Sequence, residues 1–428
     1  MGLAINTSKT KIMIFNSRGL KLDSVENSFY INETRLEVVA EYKYLGFLLK
    51  PSGIVSVGIN NLLDKASRAW FNISNLIYQN KQMPYNRAIR LFHCLVTPIA
   101  LYACEYWLPC SLTKKSLEST ENLLQSWESF RGEVIHQKMC RLILSVMKNT
   151  SRLATLGELG QYPLWNKALS LVLKYDWHLN NKISRDTISH SVVTEMKDMD
   201  SRGVDCWLTR VNKIKSLLNF KQLPSHLSQN SISNKTSKLV NSLFDRFWLD
   251  SINKVQKNGC NCPRDHNKLR FYKQFKGSFS VEPYLELVRN RNQRSFLTRF
   301  RVSSHRLRVE TGRWTVPKTV YEDRICLYCD SGSVDSELHF ITQCKLAEQN
   351  RNSLYIIMDS IDSNFKHLSD EAKLVYLLCP VDSLRAKLCN KYLGLLVKTR
   401  TFVDQGIPLS NVGILCLDNQ GIQLVYAN

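Results

Sequence analysis

The spacing of hydrophobic positions changes near residue 54. Before that point, short apolar runs at residues 10–15 and 44–49 are bounded by turn-forming residues, as is typical of β-strands. After it, apolar residues recur every three or four positions, the period of one helix face. The first such face comprises Leu62, Leu63, Ala66, Ala69, Trp70, Ile73, Leu76 and Ile77. The pattern predicts a small N-terminal β element followed by helices.

The same period predicts further helices over residues 86–107, with a bend at Pro98, and over residues 117–147, 164–179 and 237–255. Residues 181–235 are more polar, and the Ser- and Asn-rich stretch 225–237 is typical of a domain boundary. We therefore predict a mainly α fold with a small N-terminal β element (α+β).

The net charge and the longest apolar run indicate which kinds of partner the chain could bind. The chain has 428 residues and a formal net charge of +21, which favours a polyanion, either nucleic acid or an anionic membrane. The best apolar run, residues 95–103, is broken by Thr97 and Pro98 and falls short of the roughly 18 residues of a spanning helix. We predict no membrane partner. With no secretory signal after Met1 and no regular framework among thirteen cysteines, we predict an intracellular location, in the nucleus or the cytoplasm.

Three cysteines and one histidine stand at metal-ligand spacing. Cys326 and Cys329 form a Cys-x2-Cys pair suited to a knuckle turn, and the helix start at residues 335–337 would carry His339 and Cys344. Three thiolates and an imidazole complete a tetrahedral Zn²⁺ site. The alternative is that the four residues are unrelated. A second set, Cys260, Cys262 and His266, offers at most three ligands and is better interpreted as a polar loop.

An arginine-rich segment precedes the cysteines. Between residues 289 and 314, eight arginines alternate with aromatic side chains, among them Phe296, Phe300, His305 and Trp314. Guanidinium groups bind phosphates in bidentate fashion, and aromatic planes stack on unpaired bases, so the segment predicts nucleic-acid contact. The alternative is a solvated amphipathic helix with its apolar residues turned inward.

Motifs for catalysis are sparse. No local Ser-His-Asp or Cys-His grouping and no phosphate-binding glycine loop is present, and the sequence contains no adjacent Asp-Asp pair. Two-metal nucleotidyl transfer needs closely spaced carboxylates. We therefore predict no catalytic residue.

Several motifs, in order, resemble the reverse transcriptases of non-LTR (LINE-type) retrotransposons. Residues 2–15 (GLAINTSKTKIMIF) resemble the palm motif that follows the catalytic site, and residues 42–47 (YKYLGF) the primer-grip hairpin. Residues 98–107 (PIALYACEYW) are similar to a thumb helix and residues 156–164 (LGELGQYPL) to a signature downstream of the thumb. The segment 296–314, together with the cysteines that follow, resembles the C-terminal zinc-binding region of these polyproteins.

The resemblance implies roles for individual residues. Lys9 or Lys11 would lie near the triphosphate of an incoming nucleotide, and Tyr44 near the primer end. The nucleic-acid-binding residues of the basic segment would be Arg299, Arg301, His305, Arg306, Arg308 and Arg313. The family places its Asp-Asp metal site upstream of the first motif, so we expect this chain to lack it.

Five segments follow from these observations. Residues 1–53 would be a palm remnant with a primer-grip-like hairpin, and residues 54–180 a helical thumb with post-thumb helices. Residues 181–258 would be a polar linker and helix, residues 259–346 a basic zinc-binding domain, and residues 347–428 a helical tail of unassigned role.

The predicted function is that of a truncated retrotransposon reverse transcriptase product that binds Zn²⁺ and nucleic acid. The partner would be RNA, an RNA–DNA hybrid or target DNA, with the upstream reverse transcriptase region as a further candidate. Two alternatives stay open. The chain is a fragment of an active RNA-directed DNA polymerase whose catalytic half lies upstream, or a co-opted, non-enzymatic regulator that keeps the zinc module.

Overall fold

The computed structural model describes residues 5–15, 29–254, 268–418 and 421–425. Helix accounts for 59 % and strand for 7 % of the structure. The protein is therefore mainly helical with a few small sheets, which confirms the predicted balance of helix and strand.

Within the described residues, the strands form three small sheets. Strands β1 (Lys11–Ile12), β2 (Phe29–Ile31) and β3 (Thr34–Val38) form one sheet in the order β1-β3-β2, with β1 parallel and β2 antiparallel to β3. Antiparallel hairpins are formed by the remaining strands, β4 (Tyr42–Tyr44) with β5 (Phe47–Leu49) and β6 (Ile414–Asp418) with β7 (Gly421–Val425).

The apolar run 44–49 is not the single strand that its composition predicts. Leu45 and Gly46 have φ values of 45° and 94°, so both central positions of the turn are left-handed, as in the tight turns that join two strands. The turn separates β4 from β5, with Tyr44 opposite Phe47. The stretch is a hairpin, which its hydrophobic pattern alone does not predict.

Eighteen helices are present in the described residues. In chain order they are α1 (Ser56–Gln79), α2 (Tyr85–Leu95), α3 (Thr97–Ala100), α4 (Cys104–Ser111), α5 (Thr120–Gln125), α6 (Arg131–Leu144), α7 (Arg152–Leu159), α8 (Leu164–Asn181), α9 (Ile188–Ser201), α10 (Trp207–Leu217), α11 (Gln229–Lys254), α12 (Tyr272–Phe275), α13 (Tyr284–Leu287), α14 (Ser295–Arg301), α15 (Arg308–Thr311), α16 (Glu348–Ile361), α17 (Asp370–Leu378) and α18 (Ser383–Asp404).

The predicted helix over residues 86–107 consists of three helices, α2, α3 and α4. Pro98 lies in the first turn of α3, where its missing N–H costs no hydrogen bond. The bend lies later, at Ala103, whose φ of 54° is left-handed. Among the described residues no single helix has the length and hydropathy to cross a membrane; the pair Tyr85–Ala100 and Cys104–Ser111, bent by 67°, passes that test only when taken together.

Most of the stretch predicted as a polar linker is helical. It contains α9, α10 and the beginning of α11, which starts at Gln229 inside the expected domain boundary. The reason is a four-residue repeat of buried positions along α11, formed by Ile232, Thr236, Val240, Phe244 and Trp248. The surrounding serines and asparagines occupy the other faces, so low average hydrophobicity concealed a regular apolar stripe.

The chain divides into two compact units, each assembled from separate stretches. The first unit comprises Met1–Asn72, Leu91–Ile135 and Pro163–Phe244. In its core α4 packs against α8, and the Phe130 ring lies 5.7 Å from Trp107 and 5.8 Å from Trp165. The indole of Trp165 donates a hydrogen bond to the Leu123 carbonyl, so this buried ring also satisfies its polar atom.

The second unit comprises Ile73–Arg90, His136–Tyr162 and Asp245–Asn428. Its core includes α14 against α18 and α16 against β6. The largest fully buried side chains include Trp248, Tyr272, Tyr284 and Tyr392. This unit contains both the Cys/His cluster and the arginine-rich segment.

Candidate metal centre

The first two candidate ligands lie on a tight hairpin. An antiparallel bridge joins Ile325 to Val334, and the Cys326 N–H donates to the Ser333 carbonyl at 2.8 Å. At the base of the hairpin the Asp335 N–H donates to the Arg324 carbonyl, also at 2.8 Å. The turn between these bonds carries both thiols, as the Cys-x2-Cys spacing predicts.

The other two ligands follow on a short helical turn. Ser336 begins it: its hydroxyl accepts from the His339 N–H at 3.3 Å and its carbonyl from the Phe340 N–H at 2.9 Å. The turn is wider than an α-helix, because the Cys344 N–H reaches the His339 carbonyl five residues back at 2.7 Å. A wide turn of this kind brings residues five apart towards one face, and such turns occur often at functional sites.

The four ligand atoms form a compact cluster. All lie within 4.8 Å of one another. The Sγ atoms of Cys326 and Cys344 are 3.9 Å apart, and Cys329 Sγ is 3.4 Å from His339 Nε2. Tetrahedral Zn²⁺ with ordinary bond lengths requires edges of about 3.8 Å between two sulfurs and about 3.5 Å between sulfur and nitrogen. The cluster can hold a metal ion, and these two distances are compatible with zinc.

Electrostatics favour an anionic site. The hydrogen bond from Cys326 lowers the pKa of the Cys344 thiol to about 3, although burial acts in the opposite direction. The same contact, assisted by burial, raises the pKa of Cys326 far above its usual range. Burial would lower the pKa of His339, but the hydrogen bond and charge of Cys344 outweigh it and raise that pKa. The lowered pKa favours the thiolate form of Cys344, which is the form that a metal ion binds.

Several buried groups outside the ligand set hold this segment. Arg351 donates to the Cys344 carbonyl at 2.7 Å, and the Tyr392 hydroxyl donates to the Ile341 carbonyl at 2.7 Å. Arg400 binds both carboxylate oxygens of Asp335, at 2.9 Å and 2.7 Å. Two of these contacts join residues far apart in the chain, 51 positions for Tyr392 with Ile341 and 65 for Arg400 with Asp335, so no local pattern predicts them.

The arginine-rich segment is largely interior. Arg301 is 1 % exposed, and its guanidinium contacts both oxygens of Glu158 at 3.0 Å and an oxygen of Glu282 at 2.5 Å. The rings of Phe275 and Tyr284 lie 4.6 Å and 5.1 Å from its guanidinium carbon. Arg301 was predicted to bind nucleic acid, yet in this structure it is an internal cation with its partners in place.

His305 is also interior. Its Nε2 lies 2.8 Å from Glu337, which accepts from the Ser303 hydroxyl at 3.0 Å and pairs with Arg270. Burial alone would raise the pKa of Glu337, but the charge of Arg270 and the contact with His305 bring it well below its usual range. Since Glu337 lies two residues before His339, this buried network anchors the start of the metal-ligand turn.

The other predicted residues of the segment are more accessible. Arg306 is exposed, while Arg299, Arg308 and Arg313 are partly exposed. Arg299 donates to the Ser145 carbonyl at 2.9 Å. Trp314, next to Arg313, is 50 % exposed.

Arg313 pairs with Glu310 at 3.4 Å and also acts electrostatically on Lys268. Arg141 acts on Lys268 in the same way, and Arg152 acts on Arg141. These four cations are here called the basic cluster: Arg141, Arg152, Lys268 and Arg313. Burial lowers the pKa of Lys268, and the charges of Arg313 and Arg141 lower it further against the attraction of Glu310. Hydrogen bonds fix two members, from Lys268 to the Asn149 carbonyl at 2.6 Å and from Arg141 to the Thr150 carbonyl at 3.3 Å.

The N-terminal candidates belong to the first unit. Lys11 on β1 forms an ion pair with Glu37 on β3, while Lys9 is exposed. Tyr44 on β4 is 59 % exposed. The set Cys260, Cys262 and His266 lies outside the described residues.

No family model, no curated protein and no solved structure matches this chain. Within the described ranges, Cys326, Cys329, His339 and Cys344 form the only group of three or more His, Cys, Asp or Glu side chains placed to hold a metal ion. The functional interpretation therefore depends on this cluster and its surroundings.

Proposed function

We propose that this chain is a zinc-stabilised nucleic-acid-binding protein, related to the post-catalytic part of non-LTR reverse transcriptases. Its ligand would be RNA or an RNA–DNA hybrid. The observation that carries the proposal is the Cys3His cluster, with ligand edges of 3.9 Å and 3.4 Å, at the end of a strongly basic segment.

The metal would have a structural role. Cys326, Cys329, His339 and Cys344 supply four ligands, so no coordination position is left for a substrate. Cys326, His339 and Cys344 are each less than 5 % exposed, which also argues against direct chemistry at the metal. Binding of Zn²⁺ would join the hairpin to the helical turn and fix the backbone around both.

The basic cluster is the best-supported surface for the polyanion within the second unit. Three of its members come from stretches distant in sequence, Arg141, Lys268 and Arg313, so the fold gathers positive charge that the linear pattern does not reveal. Like charges held close together are stabilised by a bound phosphate backbone. Exposed Trp314 adds an aromatic face beside Arg313 for base stacking.

Arg301 and His305 have a different role in this proposal. Their partners Glu158 and Glu337 are buried, and Glu282 is partly buried. Arg301 and His305 thus hold the segment that presents Arg306, Arg308 and Arg313. Lys9, Lys11 and Tyr44 remain candidates for contact with nucleic acid in the first unit.

Binding can be tested with fluorescence anisotropy on labelled RNA, RNA–DNA hybrid and DNA duplex over a range of salt concentrations. The triple variant Arg141→Gln/Lys268→Gln/Arg313→Gln should bind more weakly. It should also flatten the slope of log affinity against log salt by about 2.1–2.7, because each of three lost phosphate contacts contributes about 0.7–0.9. The control Lys197→Gln/Lys213→Gln/Lys235→Gln removes the same number of positive charges from exposed sites of the first unit. Its slope of log affinity against log salt should stay close to that of the parent.

A folded basic-cluster variant with the parent's salt slope would remove this surface from the proposal. Absence of binding to any of the three nucleic acids at low salt would contradict the proposal itself. We also expect no primer extension with Mg²⁺ or Mn²⁺, since two-metal transfer needs paired carboxylates. Extension that persists after contaminating polymerases are removed would favour the polymerase alternative.

A further inference from the structure

The C-terminal helix α18 reaches the metal-ligand cluster through one side chain. Arg400, near the end of this helix, makes a bidentate ion pair with Asp335 at 2.7 Å and 2.9 Å. The nitrogen that binds Asp335 Oδ1 also lies 3.6 Å from Cys326 Sγ. One guanidinium therefore joins a carboxylate to a candidate ligand sulfur.

Aromatic rings hold the same guanidinium on the metal-ligand segment. Its central carbon lies 4.5 Å from the centre of the Tyr328 ring and 4.2 Å from that of Phe340. Tyr328 stands between Cys326 and Cys329, and Phe340 directly follows His339. The planar guanidinium thus contacts both ligand-bearing pieces, the hairpin and the helical turn, in a geometry that a lysine ammonium cannot reproduce.

Charge explains why a cation belongs at this position. Three thiolates around Zn²⁺ leave a net charge of about −1 on the site. Asp335 adds a further buried negative charge, being 1 % exposed. Uncompensated buried charges are strongly destabilising, so a cation between Cys326 and Asp335 lowers the cost of both.

We infer that Arg400 is a positioning residue of the metal site, and that α18 is part of this site instead of an independent tail. The inference rests on the proposed occupancy by zinc. The N–H group directed at Cys326 withdraws charge from the bound sulfur, while the pair with Asp335 fixes the base of the hairpin. Outer residues of this kind orient metal ligands and tune how firmly the metal is held.

Three further contacts place residues beyond 347 against the same segment. Asp404, also on α18, accepts from the Tyr328 hydroxyl at 2.9 Å. Tyr392 on α18 binds the Ile341 carbonyl and Arg351 on α16 binds the Cys344 carbonyl, each at 2.7 Å. This assigns a role to a part of the chain for which the sequence suggested none.

The test uses the full chain with Arg400→Met, Arg400→Lys and a matched control, Arg385→Met. Arg385 lies on the same helix, stacks over Tyr376 at 5.3 Å and pairs with Asp382 at 3.3 Å. Neither partner is a candidate ligand, and neither belongs to the metal-ligand segment. The Zn²⁺ dissociation constant is measured by competition with a chromophoric chelator. The sulfur-to-metal charge-transfer band is measured after replacement by Co²⁺.

For Arg400→Met we expect Zn²⁺ to bind about 10–100-fold more weakly and the Co²⁺ charge-transfer band to shift, because the ligand sulfur loses its N–H contact. The Zn²⁺ affinity of Arg400→Lys should lie between those of Arg400→Met and the parent, because lysine restores the positive charge but not the planar, bidentate guanidinium. Arg385→Met should keep the parent's affinity and band. A general loss of helix stability would affect both methionine variants alike and leave the band in place.

An affinity within twofold of the parent and an unchanged band in Arg400→Met would overturn the inference. Should that variant fail to fold, Arg400→Lys decides, and parent-like affinity and band there would overturn it equally. A folded parent that binds neither Zn²⁺ nor Co²⁺ would instead overturn the proposed metal site, and the inference with it.

Discussion

Two segments stood out in the sequence, the metal-ligand segment and the arginine-rich segment before it. They differ in how closely the positions of their side chains in the structure follow what the sequence pattern predicts. In the first, Cys326, Cys329, His339 and Cys344 converge as their spacing predicts. In the second, Arg291, Arg294 and Arg301 are buried. A ligand set is defined over short distances in the chain, whereas the role of an arginine depends on partners that the fold brings from elsewhere.

The partners of the buried arginines illustrate this difference. Arg301 finds Glu158 more than a hundred residues earlier, while Arg291 and Arg294 donate to the carbonyls of Tyr78 and Ile143. A dense run of arginines therefore has two readings that composition cannot separate. Here the segment combines them, with interior cations that organise the core and outer ones that remain accessible.

The largest expected effect follows from removing the metal ion from the metal-ligand segment. Removing Zn²⁺ with a chelator should unfold the region around residues 320–348, because structural zinc supplies about 10–16 kcal/mol in small zinc modules at neutral pH. Hydrogen exchange followed by mass spectrometry should show lost protection in that region first. Equal protection with and without chelator would mean that the segment folds independently of metal.

The next effect distinguishes interior from accessible arginines. Arg301→Met leaves Glu158 buried without its cation, while Glu282 keeps its ion pair with Lys276. The substitution should lower the free energy of unfolding by about 3–5 kcal/mol, measured by urea denaturation. Arg306→Met is the matched control, because Arg306 is exposed on the same segment, and should change stability by about 0.5 kcal/mol or less. Similar losses for both variants would contradict the division.

A smaller effect concerns the close packing of helix α7 at Gly157. A Cβ added at Gly157 would lie 2.5 Å from the Trp248 ring and 2.9 Å from the Tyr272 hydroxyl, so helix α7 approaches both only because this residue is glycine. Gly157→Ala should lower the free energy of unfolding by about 1–3 kcal/mol through overpacking. Thermal denaturation measures this loss.

Gly203→Ala is the control for that substitution. Gly203 has a left-handed φ of 73° and nothing within 4 Å of an added Cβ, so only backbone strain of about 1 kcal/mol is expected. A Gly157→Ala variant no less stable than Gly203→Ala would show that the close contact is relieved by small shifts.

The sequence predicted the helical character, the ligand set and the turn that carries Cys326 and Cys329. The hydrophobic pattern alone missed the left-handed turn at Leu45 and Gly46, because an unbroken apolar run does not show where the backbone reverses. It also missed the helix that begins at Gln229, whose buried stripe is diluted by serine and asparagine. The two units alternate along the chain, and no local pattern encodes which stretches come together.

The residues around the metal-ligand cluster also could not be predicted, because several of them are distant from it in sequence. Asp335 reads as a helix-starting residue, and its pairing with Arg400 spans 65 positions. The basic cluster is gathered from three separate stretches. A site formed by residues close together in sequence could be predicted from their spacing. Ion pairs between distant residues could not be predicted, because they depend on how the chain folds.

The measurement that tests the account most directly is X-ray absorption at the zinc edge of the purified, metal-loaded chain. We predict one Zn²⁺ per chain with three sulfur ligands at about 2.3 Å and one nitrogen at about 2.0–2.1 Å, and loss of this shell in the Cys326→Ser/Cys344→Ser variant. A folded chain without bound zinc, a shell dominated by oxygen, or an unchanged shell in the double variant would contradict it.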